Sequence, residues 1–293
     1  MRSRGVFYIA ISALGFSAMS VLVKVCSETL PTGEIVLARA VATLGLSYAL
    51  VKRAGLSPWG VERKRLVLRG ALGFSALACY YGALARLPLA DATVLQNTIP
   101  VFTALLAWWL LGERVGWGAA IAIACGLGGV MLVMHPGGDS GDALGAGLAI
   151  GGALLSATAY VTVRQLARTE DPLVIVFYFP LVATPLSLPW ALSVWQWPTA
   201  REWLLLAAVG VTTQIGQVFL TLGLAVEKAA RATAAGYLQI CFAIGWQLLV
   251  FGKQPTLATI AGAALIIAGT LAVEATASKR AKVPGGPRPH TPT

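Results

Sequence analysis

Ten apolar runs, each about 18–25 residues long, leave this chain one kind of surroundings to fold in. They fall at roughly 5–26, 34–51, 68–86, 92–111, 117–134, 144–167, 173–192, 202–226, 232–251 and 256–275. A helix rising ~1.5 Å per residue needs about 20 apolar residues to cross a hydrocarbon core some 30 Å thick. Short polar or Gly/Pro-containing links separate the runs. Composition agrees: 57% of residues are hydrophobic and 12% charged, against about 25% charged in soluble domains. The sequence predicts an all-α integral membrane protein with ten transmembrane helices.

The net charge of +10 reports orientation rather than a nucleic-acid partner. Most of the basic residues fall on one side of the predicted bilayer. The 52–65 link alone holds Lys52, Arg53, Arg63, Lys64 and Arg65 against one acid, Glu62, and Arg69 is counted with that side. The opposite side holds Arg86, Arg201 and Lys253. This positive-inside bias puts both termini in the cytoplasm, and the expected location is a bacterial inner membrane. "MRSR" before the first run also fits a signal peptide, but the run is longer than a typical h-region. Cys26, Cys79, Cys125 and Cys241 all lie in apolar runs, with neither metal nor disulfide spacing. They read as small packing residues.

The chain is written twice. Slid by 140 residues, "ALGFSAMSVLVK" falls on "ALLSATAYVTVR", and Lys24 meets Arg164. "DATVLQ" falls on "RATAAG", and Phe102, Gly112 and Gly129 fall on Phe242, Gly252 and Gly269. One constant offset runs from the first span to the tenth. Each copy has five spans, an odd number, so the second enters from the opposite side. The halves are therefore expected to be inverted repeats, an architecture of secondary transporters with the site near the midplane. The expected bounds are a first repeat at 1–134, a periplasmic linker at 135–143, a second repeat at 144–277 and a disordered, basic, Pro/Gly-rich tail at 278–293.

The stretch "LADATVLQNTIPVFTALLAWWLLGER" and the Gly-rich span after it resemble EamA domains of the drug/metabolite transporter superfamily. The matching pieces are the Pro-Val-Phe-x-Ala-Leu-Leu-Ala run and the Leu-Gly-Glu-Arg at its end. "LGLAVEKAARATAA" and "GAALIIAGTLAV" in the second copy also resemble EamA, although Ile240 and Lys253 replace the Pro and the Glu. The resemblance implies a ten-helix carrier of small metabolites with a central cavity between the repeats. Length, span number and an aromatic-rich interior are similar to the YddG-type amino-acid exporters.

Polar residues inside the spans mark candidate site positions. Gln96, Asn97 and Pro100 lie about 6–12 Å into the fourth span at ~1.5 Å per residue. A buried amide without partners costs several kcal/mol, so these amides face a wet cavity or act as glue between helices. Pro100 lacks an N–H, which leaves the Gln96 carbonyl without its usual partner and invites a kink. Tyr237 and Gln239 reach a similar depth in the ninth span. Depth also selects Ser17 and Ser20, Ser75, Tyr80 and Tyr81, Ser156, Thr158 and Tyr160, Gln214 and Gln217, and Trp246. Serines and threonines can instead bond their own helix. Lys24, Arg39 and Arg164 either snorkel to the headgroups or flank the mouths of a pathway, with Glu34 or Glu28 as a possible partner for Arg39.

No Asp, Glu or His falls in the middle of a span, so a proton relay is not expected. Enzyme motifs such as HExxH, Gly-x-Ser-x-Gly or a phosphate-binding loop are missing. The chain reads as a transporter rather than an enzyme, with no cofactor and no metal. Its expected partners are a small-molecule substrate and the lipid bilayer, not nucleic acid; oligomeric state is open, and a monomer is compatible. The reading is export of amino acids, aromatic or neutral, or similar small metabolites by alternating access. A multidrug or nucleotide-like metabolite carrier, and a membrane enzyme or non-transporting scaffold, are the alternatives.

Overall fold

The computed structural model describes residues 4–99, 101–103, 106, 121, 124–125, 128–129, 131–132, 142–226, 238–265 and 267–269. All secondary structure among the described residues is helical. The helices are α1 (Arg4–Cys26), α2 (Thr32–Arg53), α3 (Arg63–Arg86), α4 (Leu89–Gln96), α5 (Ala143–Leu166), α6 (Pro172–Ser193), α7 (Ala200–Val226) and α8 (Leu238–Phe251). Six of them (α1–α3 and α5–α7) are long and apolar enough to span a membrane; Cys241–Phe251 and Leu257–Gly269 are apolar but shorter. Large apolar side chains such as Phe7, Leu204 and Leu249 point outward, as a lipid-facing surface requires. The chain is a multi-pass membrane protein. The predicted linker at 135–141 and the tail lie outside the described residues.

Local chemistry sets the helix ends. The Asp142 carboxylate accepts the Gly145 N–H at 3.0 Å and caps α5. Asp171 does the same for Leu173 at 2.8 Å ahead of Pro172, the first residue of α6. Such caps engage N–H groups that have no partner inside the helix. The Glu170 carboxylate receives the Val61 and Glu62 N–H groups at 2.6 and 2.5 Å, tying the α2–α3 loop to the α5–α6 turn.

One expectation changes. The fourth run does not continue as a single helix: α4 stops at Gln96, residues 97–98 form a turn, and helix resumes at Ile99 and at 101–103. The interruption comes before Pro100, itself outside the described residues. The side chains feed it. Asn97 Nδ2 donates to the Thr93 carbonyl at 2.9 Å and Thr98 Oγ1 to the Leu95 carbonyl at 2.7 Å, the local bonding by which Asn and Thr compete with helix continuation.

Packing repeats across the two halves. Helix α1 packs on α7 as α5 packs on α3; α3 packs on α6 as α7 packs on α2; α4 packs on α5 as α8 packs on α1. Pairs α2–α6 and α4–α8 meet across the centre. The 140-residue offset reaches single contacts. Ser12 Oγ donates to the Gly216 carbonyl at 2.9 Å. At the equivalent positions, a side chain on Gly152 would begin 3.1 Å from the Ala76 carbonyl. Glycine lets the α1–α7 crossing close: a Cβ on Gly15 would lie 2.9 Å from the Gly216 nitrogen and 3.0 Å from the Thr212 oxygen. Met19, Val23, Tyr81, Leu84 and Leu95 form the larger buried cluster around α1, α3 and α4.

Candidate functional site

A cavity opens where α1–α8 converge. Its most unusual contents are two arginines. Arg39, from α2, and Arg69, from α3, are 2% and 3% exposed. Their guanidinium carbons lie 5.0 and 4.9 Å from the centroid of one ring, Phe179 of α6, within cation–π range. Arg39 Nε donates to Thr213 Oγ1 at 3.1 Å, and Arg69 Nη2 donates to Gln217 Oε1 at 3.3 Å. Arg39 Nη1 and Arg69 Nε and Nη1 are buried with no hydrogen-bond partner.

Neither arginine meets an acid among the described residues. The ion pairs among the described residues are Arg65–Glu62 and Arg86–Asp142, both at the periphery. The expected pairing of Arg39 with Glu34 or Glu28 does not form. Glu34 is buried, but its Oε2 accepts the Gln196 N–H at 3.2 Å. Arg69 also needs correction. Counted above with the basic cytoplasmic flank, it is instead folded into the cavity wall. It follows Arg63-Lys64-Arg65 by about one turn of α3, ~3.6 residues per turn, so the adjacent cluster disguises it.

Neutral polar groups complete the wall. Gln96 Nε2 donates to Ser156 Oγ at 3.1 Å, joining α4 to α5, while Gln96 Oε1 is buried without a partner. Gln96 therefore lines the cavity and links helices at once. Asn97, Tyr80, Tyr160, Gln217 and Gln239 also line it. The Tyr80 hydroxyl sits 3.1 Å from Ser20 Oγ and 3.4 Å from Thr93 Oγ1.

Other candidates stand elsewhere. Tyr81 is buried beside Arg39, its ring 5.7 Å from the guanidinium. Gln214 accepts from Ser47 at 3.0 Å. Ser17 is buried in α1, Ser20 also bonds the Phe16 carbonyl, and Trp246 is half-buried against the large apolar cluster. Thr158 bonds its own helix at Leu154, and Ser75 faces outward. Pro100 and Tyr237 lie outside the described residues. Lys24 turns inward: its Nζ donates to the Leu84 and Leu87 carbonyls at 2.7 and 2.8 Å, where α3 ends, a favoured place for a cation. Arg164, its counterpart at the offset, is exposed on the last turn of α5.

The wall itself obeys the repeat. Phe16 and Ser156, Met19 and Ala159, Arg39 and Phe179, Leu77 and Gln217, and Ile99 and Gln239 are pairs at the 140-residue offset, and both members of every pair line the cavity. Single apolar residues such as Phe16 and Phe179 give no functional signal in a sequence. Their offset partners do, because Ser156 and Arg39 are polar.

The duplication agrees with known proteins. The EamA-like transporter family matches residues 3–135 and again 143–274. The chain belongs to that family. This EamA-family chain is 37% identical over 275 residues to a pseudopaline exporter of Pseudomonas aeruginosa, covering 93% of this chain and 96% of that one. It is 30% identical to solute carrier family 35 member G1 of Homo sapiens, covering 91% and 78%. It is 29% identical to a riboflavin transporter of Rhizobium johnstonii, covering 96% and 94%. A solved crystal structure with 20% identity superposes with a TM-score of 0.73 over 97% of this chain and 100% of that chain, so the fold is shared.

Proposed function

We propose that the chain is a secondary carrier that exports small polar metabolites, amino acids among them, across a bacterial inner membrane by alternating access. Its architecture would be ten spans in two inverted five-helix repeats, with both termini cytoplasmic. The observation that carries this reading is the pairing of cavity positions at the repeat offset. A cavity on the axis that relates two repeats is one that both halves can open in turn, each towards its own side. Export as the direction is supported by similarity to the pseudopaline exporter.

Binding would use Gln96, Asn97, Tyr80, Tyr160, Gln217 and Gln239, with Pro100 and Tyr237 as further candidates. A polar solute leaving water needs replacement donors and acceptors, and these side chains supply both. Purified protein in liposomes, loaded with one unlabelled solute at a time and assayed for counterflow of the labelled solute, tests the reading. Saturable exchange of at least one small metabolite, reduced several-fold by Gln96→Leu or Gln239→Leu in folded protein, is expected. The absence of exchange across a broad panel would overturn it.

A further inference from the structure

We propose, building on the carrier reading, that the cavity is an anion site in which Arg39 and Arg69 together bind a small organic dianion, a dicarboxylate or a phosphate monoester. The two guanidiniums flank a single ring, Phe179, so one small molecule reaches both. Neither takes part in an ion pair among the described residues. Their hydrogen-bond partners, Thr213 and Gln217, are neutral, and among the described residues no Asp or Glu lines the cavity.

An arginine inside a membrane is costly and usually pairs with an acid or a carbonyl. Two of them beside one cavity repel each other as well. A purely structural role, joining α2 and α3 to α7, would be served at lower cost by glutamine. The donors left unengaged, Arg39 Nη1 and Arg69 Nε and Nη1, are what a carboxylate or phosphate would take, since the planar guanidinium matches both groups. A zwitterionic neutral amino acid would satisfy one arginine through its carboxylate. Its ammonium would then share the cavity with the second arginine and find no acid among the described residues there. The charge balance of the wall therefore favours two acidic groups, or one doubly charged group, over a zwitterion.

The test uses the full chain in nanodiscs of neutral lipid. Succinate, glycerol 3-phosphate, phenylalanine and lysine are compared by calorimetric titration and by the shift in apparent melting temperature. Succinate or glycerol 3-phosphate is expected to bind, and their two arms identify the acidic group. Arg39→Gln and Arg69→Gln should each weaken that binding tenfold or more at unchanged or higher melting temperature of the empty protein. Lysine at either position should restore it only in part. Substitutions that lower stability but leave dianion affinity intact would overturn the proposal. So would binding of phenylalanine or lysine without either dianion, or no dianion binding at millimolar concentration. Because the wild-type panel by itself can overturn the proposal, a variant that does not fold still leaves it falsifiable. Counterflow separates this inference from the carrier reading. Flux of neutral or cationic solutes without dianions removes the anion site and keeps the carrier. Dianion binding without flux of any solute removes the carrier and keeps the site.

Discussion

Replacing Gly15 with alanine should loosen the crossing that holds one wall of the cavity. The new Cβ would stand 2.9 Å from the Gly216 nitrogen and 3.0 Å from the Thr212 oxygen. Both are backbone atoms of α7, so neither can rotate away and the helices must part. Overpacking of this kind costs about 1–3 kcal/mol. Alanine returns up to roughly 1 kcal/mol of helix propensity, leaving a net loss of up to about 2 kcal/mol. With an unfolding entropy of about 2.1 cal/mol/K per residue, a chain of 293 residues shifts by about 1.6 °C per kcal/mol, so the apparent melting temperature should fall by up to about 3 °C. Gly147→Ala is the control, because nothing lies within 4 Å of its Cβ position, and it should melt with the wild type or slightly above. Phe16, the next residue along α1, lines the cavity, so Gly15→Ala should also lower counterflow at a temperature where it stays folded. Thermal unfolding in detergent, followed by loss of monodisperse protein, reads the first effect. If Gly15→Ala melts with Gly147→Ala, the close crossing is not how these helices pack.

Reporter fusions after Gly55 should report cytoplasm and fusions after Gly138 the opposite side; cytoplasmic signal at Gly138 would refute the inverted repeat. A pH gradient alone should not drive uphill accumulation, because the spans show no central acid or histidine; accumulation that a protonophore abolishes would contradict this. The Gly145 N–H, and then Arg86, hold the Asp142 carboxyl below the usual carboxylate range. A depressed folded value adds stability that is present above the unfolded carboxylate range and lost as pH falls through the folded one. Asp142→Asn should therefore melt below wild type at neutral pH, with the gap closing in acid; a pH-independent gap would refute the charge argument.

Six of the ten expected spans and the duplication were legible because lipid dictates length and hydropathy, and because a constant offset survives where individual matches fade. Much of the cavity wall was legible too: Gln96, Asn97, Tyr80, Tyr160, Gln217 and Gln239 all reach it, and so does Arg39, which the sequence reading had put at a pathway mouth or among the headgroups. The limit was direction around the helix. Counting along a span gives depth, yet Ser17 and Trp246 were chosen by depth alone and do not line the cavity, and Ser75 faces outward. Arg69 was hidden by a neighbouring basic cluster that orientation rules assign to the headgroups. Met19 and Phe179 look like lipid-facing residues until a partner helix is laid against them.

Lys24 has a consequence for the resting state. Two halves of identical sequence would make the inward-open and outward-open forms equal in energy, like a coin with no heavier side. In this conformation Lys24 latches α1 to the end of α3 through two carbonyls, while Arg164, its counterpart, is exposed on the last turn of α5. Under alternating access the two would trade roles, one latch opening as the other closes. A charge-assisted bond is worth about 1.5–3 kcal/mol, so a lysine facing two carbonyls and an arginine facing two others need not balance. If the chain alternates access as proposed, their mismatch would weight the coin and set which side of the membrane the empty protein faces before any substrate arrives.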